Sequence, residues 1–299
     1  RMTGTMGKYT NKLELLTLAT EIIQHVEHGA PMLLPAMPQG FAILQDSGAE
    51  SHWRREWRKF ERFIVTGAPQ WGIFKNGNSK LPFVAFSALP AVTCPGAGEC
   101  LKWCYSFKAF RYPAAYFRQL QNTILLMTGQ GRATLRQAFS EIDSGLDVRL
   151  YVDGDFDSIE TMGFWFNLLN SRQDLRAYGY SKSWAIFLEW ANLGRPFPSN
   201  YVLNASSGSK YDDIMLAKIK TLPVYRGTFE ALPIDEKMPD KAAKPEAFQR
   251  WAAKLRNIAA DLGMGKVWVC PGKCGECTPT VHACGSRQFD NIPVVIGLH

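Results

Sequence analysis

The sequence predicts an α/β protein, either a partial (β/α)6 barrel or a curved parallel sheet, with a mainly helical N-terminal extension. Strand-like and helix-like segments alternate from about residue 81 onward, in about six successive units. Both cysteine-rich stretches begin directly after a strand-like segment. Residues 1–80 break this rhythm and are assigned to the extension, and residues 81–299 to the barrel-like domain.

Within the extension, a Pro/Gly-rich stretch covers 31–40, and a basic run follows at 52–62. Trp53, Trp57 and Phe60 recur there at i, i+4 and i+7, the apolar stripe of an amphipathic helix whose other face is basic and solvated. Leu81–Ser87 reads as a buried strand leading into the first cysteine loop. Pro113–Met127 and Ala133–Ile142 have helical spacing, and Val148–Val152 is a strand. Asp157 and Ser158 stand where a helix reaching about Asn170 needs its cap. Strands are predicted at Leu175–Tyr180, Asn200–Ala205 and Leu222–Arg226, and helices from Ser183 and over Tyr211–Lys220. Residues 230–246, rich in proline and charge, read as an exposed excursion. Glu246–Leu262 is a strongly amphipathic helix, and Lys266–Val269 is a short strand running into Cys270.

Composition narrows the function classes. The chain has 299 residues, 46% hydrophobic and 20% charged, which is globular. No run approaches the roughly 20 apolar residues of a membrane helix, so no membrane partner is expected. Residues 1–6 lack the apolar core of a signal peptide, and a cytoplasmic location is expected. The net charge of +7 is compatible with nucleic acid or another polyanion. With five histidines and no Ser-His-Asp or Cys-His arrangement, nothing points to a hydrolase.

The seven cysteines carry most of the functional signal. Cys94, Cys100 and Cys104 form C-x5-C-x3-C, and Cys270, Cys274, Cys277 and Cys284 form C-x3-C-x2-C-x6-C. Core cysteines would be scattered through helices and strands, whereas these lie in Gly/Pro-rich loops. Disulfides suit neither a reducing compartment nor an odd count. Four thiolates from one short loop match ferredoxin-type ligation better than structural zinc, which favours two C-x2-C knuckles set farther apart. The expected cofactor is therefore an iron–sulfur cluster, most readily 4Fe–4S, one or two per chain, with zinc as the alternative metal. Three plus four is compatible with two sites, or with one shared site and three spare thiols. His282 is an alternative ligand inside the second loop. Both loops open with Cys-Pro-Gly, where proline pre-sets the turn after the first thiol.

The other strand ends are polar. Asp153, Asp155 and Asp157 alternate after a strand, and Asp153 and Asp155 are expected to face the site. Lys182 and Arg226 sit where they could take a carboxylate or phosphate. The Asn204–Ser209 run has the composition of an anion nest, and its structural task would be to cap a helix near Lys210.

In their order, these motifs resemble the phage and plasmid gene product 88 family. The resemblance runs over about residues 80–290, through Cys94-Pro-Gly to Cys104-Tyr105, Val148–Ser158, Tyr178–Trp184, Asn204–Ser206 and the terminal cysteine loop. The family's middle motif has Ser-Gly-Asp-Phe, whereas this chain has Asp153 before Gly154-Asp155-Phe156, which leaves the role of Asp153 open. The resemblance implies a mobile-element protein carrying a cluster, without fixing an activity. The layout also resembles radical S-adenosylmethionine barrels, although the C-x3-C-x2-C spacing lies at the far end of the chain and Glu276 replaces the usual aromatic residue. The combined expectation is an iron–sulfur enzyme with Asp153, Asp155 and Lys182 as catalytic groups. Tyr178, Ser183, Asn204, Ser206 and Arg226 would bind a small or nucleotide-like ligand, S-adenosylmethionine being one candidate. The alternative is a nucleic-acid-binding protein with a structural iron–sulfur or zinc site.

Overall fold

The computed structural model describes residues 12–27, 49–77, 83–240, 245–272 and 283–298. In chain order the elements are α1 (Lys12–Glu27), α2 (Ala49–Thr66), β1 (Lys75–Asn76), β2 (Phe83–Ala85), α3 (Cys100–Trp103) and α4 (Pro113–Met127). Next come α5 (Gly129–Ser140), β3 (Asp147–Leu150), α6 (Ile159–Ser171), β4 (Arg176–Ser181), α7 (Trp184–Asn192) and β5 (Tyr201–Ser206). The last are α8 (Asp213–Lys220), β6 (Tyr225–Pro233), α9 (Pro245–Asp261), β7 (Trp268–Val269) and β8 (Val294–Leu298).

One eight-stranded sheet runs in the order β1-β2-β3-β4-β5-β6-β8-β7. Only β1 is antiparallel to its neighbour; every other pairing is parallel. The predicted walk of consecutive units holds from β2 to β6 and then changes. β8 takes the place beside β6 and leaves β7 on the outside, so the sheet is not a closed barrel. β8 is absent from the sequence reading because Val294–Leu298 follows 3-10 turns rather than a helix. Residues 230–233, expected to leave the fold, instead continue β6 and pair with β8.

Consecutive parallel strands joined by crossovers of one hand put every connecting helix on the same face. The core follows that rule. Val84, Val148, Leu150, Ala177, Tyr201, Leu203, Ala205 and Tyr225 pack with the apolar sides of α4–α8. Leu232, Val269 and Val295, on the same face by alternation, pack with Trp251 and Leu255 of α9. The opposite face carries Tyr178, Val202 and Val294 against Ala283 and Cys284, with Tyr180, Phe229, Trp268 and Cys270 beside them. Among the described residues no long helix covers it. This second face and the strand ends above it carry the candidate site.

The helices of the extension join the main core. Phe117 of α4 is fully buried among Trp53, Trp57 and Phe60 of α2 and Trp71, at ring distances of 5.9, 5.8, 5.3 and 6.1 Å. Tyr116 Oη donates to Leu15 O of α1 at 2.7 Å. The predicted aromatic stripe is thus buried, while Arg54, Arg58 and Arg62 are exposed. Glu56 is buried and accepts from Trp71 Nε1 at 2.9 Å and Lys59 Nζ at 3.0 Å, tying α2 to the chain before β1.

Candidate functional site

The first cysteine loop leaves β2 and lies across the ends of the neighbouring strands. Its backbone is pinned to the turn after β5. Gly98 N and Cys100 N both donate to Gly208 O at 3.1 Å, and Lys210 N donates to Gly96 O at 3.0 Å. Gly96 passes so close to the end of β4 that a Cβ there would lie 1.7 Å from Lys182 O. No side chain fits, which explains the glycine. Gly208 has φ +74, and a Cβ on it would strike Cys100 and Trp103. The Asn204–Ser209 run therefore docks the cysteine loop. It does not cap the next helix: Asp212 does, accepting from Met215 N at 2.9 Å.

Asp155 organises the layer beneath this loop. Its carboxylate is buried and accepts from Phe156 N at 2.8 Å, Ser181 Oγ at 2.7 Å, Lys182 N at 2.7 Å and Ser183 N at 3.2 Å. It thereby joins the turn after β3 to the end of β4 and the start of α7. Burial raises its pKa, and these hydrogen bonds oppose the rise. Gly154 is at φ +79 with Thr93 and Ala88 against it, which bends the chain so that the carboxylate points inward. Asp153 is half-buried, and its charge is felt by Arg118 and Tyr105. Asp157 is not the helix cap: Ser158 Oγ accepts from Thr161 N at 3.1 Å, and Asp157 Oδ1 is buried with no hydrogen-bond partner.

Ser183 donates only its backbone amide to Asp155; its hydroxyl is buried with no partner. Lys182 Nζ donates to Ser206 Oγ at 2.8 Å across the β4–β5 step. Two thiols of the first loop, Cys94 and Cys100, feel this lysine's charge. Burial, then the Asp155 charge, pushes the Cys94 thiol up, while Lys182 pulls it down. Burial also raises Cys100, again opposed by Lys182, and the Cys104 charge reaches both thiols.

The described members of the second cysteine set, Cys270 and Cys284, are held from the other side. Arg226 is fully buried at a register shift between β5 and β6. Its Nε donates to Asn204 Oδ1 at 2.7 Å, its Nη1 to Phe289 O and Ile292 O at 3.1 and 2.9 Å, and its Nη2 to Thr228 O at 3.3 Å. Asn204 Nδ2 in turn donates to Cys284 O at 2.9 Å and Gly179 O at 3.1 Å. Arg226 and Asn204, predicted to meet a ligand, here fasten the 283–292 segment to the sheet. Cys270 follows β7, and Gly272 N (φ +78) donates to its Sγ at 3.4 Å. Tyr178 is buried beneath Cys284.

Cys94, Cys100 and Cys104 are free thiols. Among the described residues no group of three or more His, Cys, Asp or Glu side chains is arranged to hold a metal ion. Cys274, Cys277 and His282 lie outside the described residues. The donor types suit a thiolate-bound metal: Cys94 and Cys100 both feel the Lys182 charge, and a backbone amide is directed at Cys270 sulfur.

Sequence reasoning passes over Arg149. It lies in β3 on the same face as Tyr180, with its guanidinium 4.7 Å over that ring. The available signal is an arginine in the middle of an otherwise apolar strand, Val148-Arg149-Leu150. A cavity of about 330 Å³ between α5 and α6, lined by Arg136, Phe139, Phe164 and Arg172, is remote from these strand ends.

Fold and site together define an α/β protein with a one-sided parallel sheet, its strand ends crossed by a cysteine loop. The chain belongs to the gene product 88 family, whose model, described as Gene product 88, matches residues 66–226, more than half of the sequence. The match includes the first cysteine loop, Asp155, Lys182 and Arg226, and ends before the second cysteine set. No curated protein and no solved structure matches the chain. No described helix is long and apolar enough to cross a membrane.

Proposed function

We propose that this chain is an iron–sulfur protein of a mobile genetic element, with a cluster beside a polar ligand site on a partial-barrel-like sheet. The observation that carries the reading is the docking of the first cysteine loop over Lys182, whose charge reaches Cys94 and Cys100, with Cys104 close enough to affect both thiols. Those three, with Cys270, Cys274, Cys277 and Cys284, would supply the thiolates. A bound cluster would supply one-electron chemistry there, and zinc is the alternative occupant. The chain's own part is derivable: Asp155 fixes the Lys182–Ser183 backbone, and Lys182 presents a cation beside the thiols.

An enzyme of this kind calls for a redox step, and reductive cleavage of S-adenosylmethionine is the version to test. Protein purified without air and reduced with dithionite should release 5′-deoxyadenosine. Absence of that product from a fully loaded, reduced sample removes the S-adenosylmethionine version.

A second reading, nucleic-acid binding, is favoured by one observation on α2. Arg54, Arg58 and Arg62 are exposed at i, i+4 and i+8, opposite the buried Trp53, Trp57 and Phe60. Binding of duplex DNA should then weaken steeply with salt and lose about one unit of salt slope for each arginine removed. A salt-independent signal, or none, rejects it.

A further inference from the structure

We propose that the face of the sheet opposite α4–α9 binds a free nucleoside phosphate at the ends of β3, β4 and β5, beside β6. Lys182 and Arg149 would hold the phosphate, and Tyr180 and Phe229 would receive the base. The inference names the ligand class of the polar site proposed above and rests on that reading.

Strand alternation places the four side chains. Tyr180 pairs with Asn204 in the β4–β5 register, and Ser206 pairs with Phe229 in the β5–β6 register. All lie on the face opposite α6–α8. The rings of Tyr180 and Phe229 are 4.8 Å apart and inclined at 72°, and both are half-buried. They pack edge to face, and the part of each ring left exposed is π surface on which a base can lie. Arg149 stacks on the outer side of this pair. Lys182 reaches in from above, and its ammonium has three donors, of which Ser206 Oγ takes one.

The charge balance favours an anion. The Asp155 carboxylate is occupied by Phe156 N, Ser181 Oγ, Lys182 N and Ser183 N, and the Lys182 ammonium is directed instead to the neutral Ser206 hydroxyl. Two cations beside two aromatic rings suit a ligand with one anionic end and one flat end, which is the chemistry of a nucleotide. The first cysteine loop lies over Lys182 and Gly208 and bounds this surface at the strand ends. That boundary favours a single nucleotide over a continuous strand.

The test is calorimetric titration of the four ribonucleoside 5′-monophosphates, their nucleosides, inorganic phosphate and a single-stranded oligonucleotide into anaerobically purified protein. At least one monophosphate should bind with Kd below about 1 mM, roughly tenfold or more tighter than its nucleoside or phosphate alone. Lys182→Met and Arg149→Gln should each weaken it by about tenfold, and Phe229→Leu by about threefold. Should Lys182→Met fail to fold by circular dichroism, Arg149→Gln decides alone. The proposal is overturned by any of three results: no monophosphate bound, phosphate alone bound equally well, or the oligonucleotide bound far more tightly than any monomer. Unchanged affinity in a folded Arg149→Gln protein overturns it too. Metal content of the same samples separates the two readings. Nucleotide bound by iron-free protein counts against the cluster alone, and full iron without nucleotide binding counts against this inference alone.

Discussion

The two cysteine loops open with the same tripeptide and use it differently. In the first, Gly96 is required because the chain is pressed against Lys182 O, and the loop is tied down by backbone bonds to the turn after β5. In the second, Gly272 is required for its left-handed φ, which turns its amide toward Cys270 sulfur. The described anchors of that region are Cys270 N on Val295 O and the Arg226–Asn204 pair, which reaches Cys284 O and the carbonyls near residue 290. The first loop is placed by close packing, whereas the described segment that follows the second, 283–292, is placed by a buried guanidinium and its asparagine partner. A shared motif therefore reports a shared need for a turn after a thiol, and the fold supplies the position in each case.

That difference can be broken selectively. The largest effect is expected from Arg226→Leu, which leaves Asn204 Oδ1 and the carbonyls of Phe289, Ile292 and Thr228 without their donor. Stability should fall by about 3 kcal/mol or more in urea unfolding. Thiol labelling of metal-free protein should speed up at Cys284 far more than at Cys100. Equal acceleration at both would show that the two loops are not held independently. Next is Gly96→Val, whose side chain overlaps the Lys182 carbonyl. A loss of roughly 1–3 kcal/mol is expected, with the labelling pattern reversed in favour of Cys100.

The smallest effect sharpens the comparison as a control remote from both loops. Burial alone would raise the Glu56 pKa, but hydrogen bonds from Lys59, Trp71 and Arg55 outweigh it and hold the pKa below the ordinary carboxylate value. A depressed acid contributes stability above its unfolded pKa and loses it as pH falls through the folded value. Glu56→Gln should therefore cost about 1 kcal/mol at pH 7. The gap from the parent protein should close as pH falls below about 4, with labelling at Cys100 and Cys284 unchanged. A gap constant with pH would mean that packing, not charge, is what Glu56 contributes.

Much of the fold was legible because period and punctuation agree. Pro113–Met127 is helical over the predicted span, and Ser158 caps its helix as its position requires. The strands at 147–150, 176–181 and 201–206 fall within a residue or two of their apolar runs. β8 and the continuation of β6 were not legible, because their pairing is with each other and nothing local announces a partner so distant in sequence. At the site, residue type identified the cysteines, Asp155 and Lys182 as residues of interest. Arg226 looked like a ligand cation because sequence cannot show that carbonyls about 60 residues later will surround it. Arg149 escaped notice for the opposite reason: one charge in an apolar strand looks like an exposed edge until Tyr180 is placed under it.

The central claim is that the two loops hold an iron–sulfur cluster at these strand ends. Iron and acid-labile sulfide, measured together with the visible spectrum on protein purified without air, test it most directly. The account predicts about four of each per cluster and a brown absorbance that Cys104→Ser or Cys277→Ser diminishes. About one zinc per chain, with no sulfide and no colour, would contradict it.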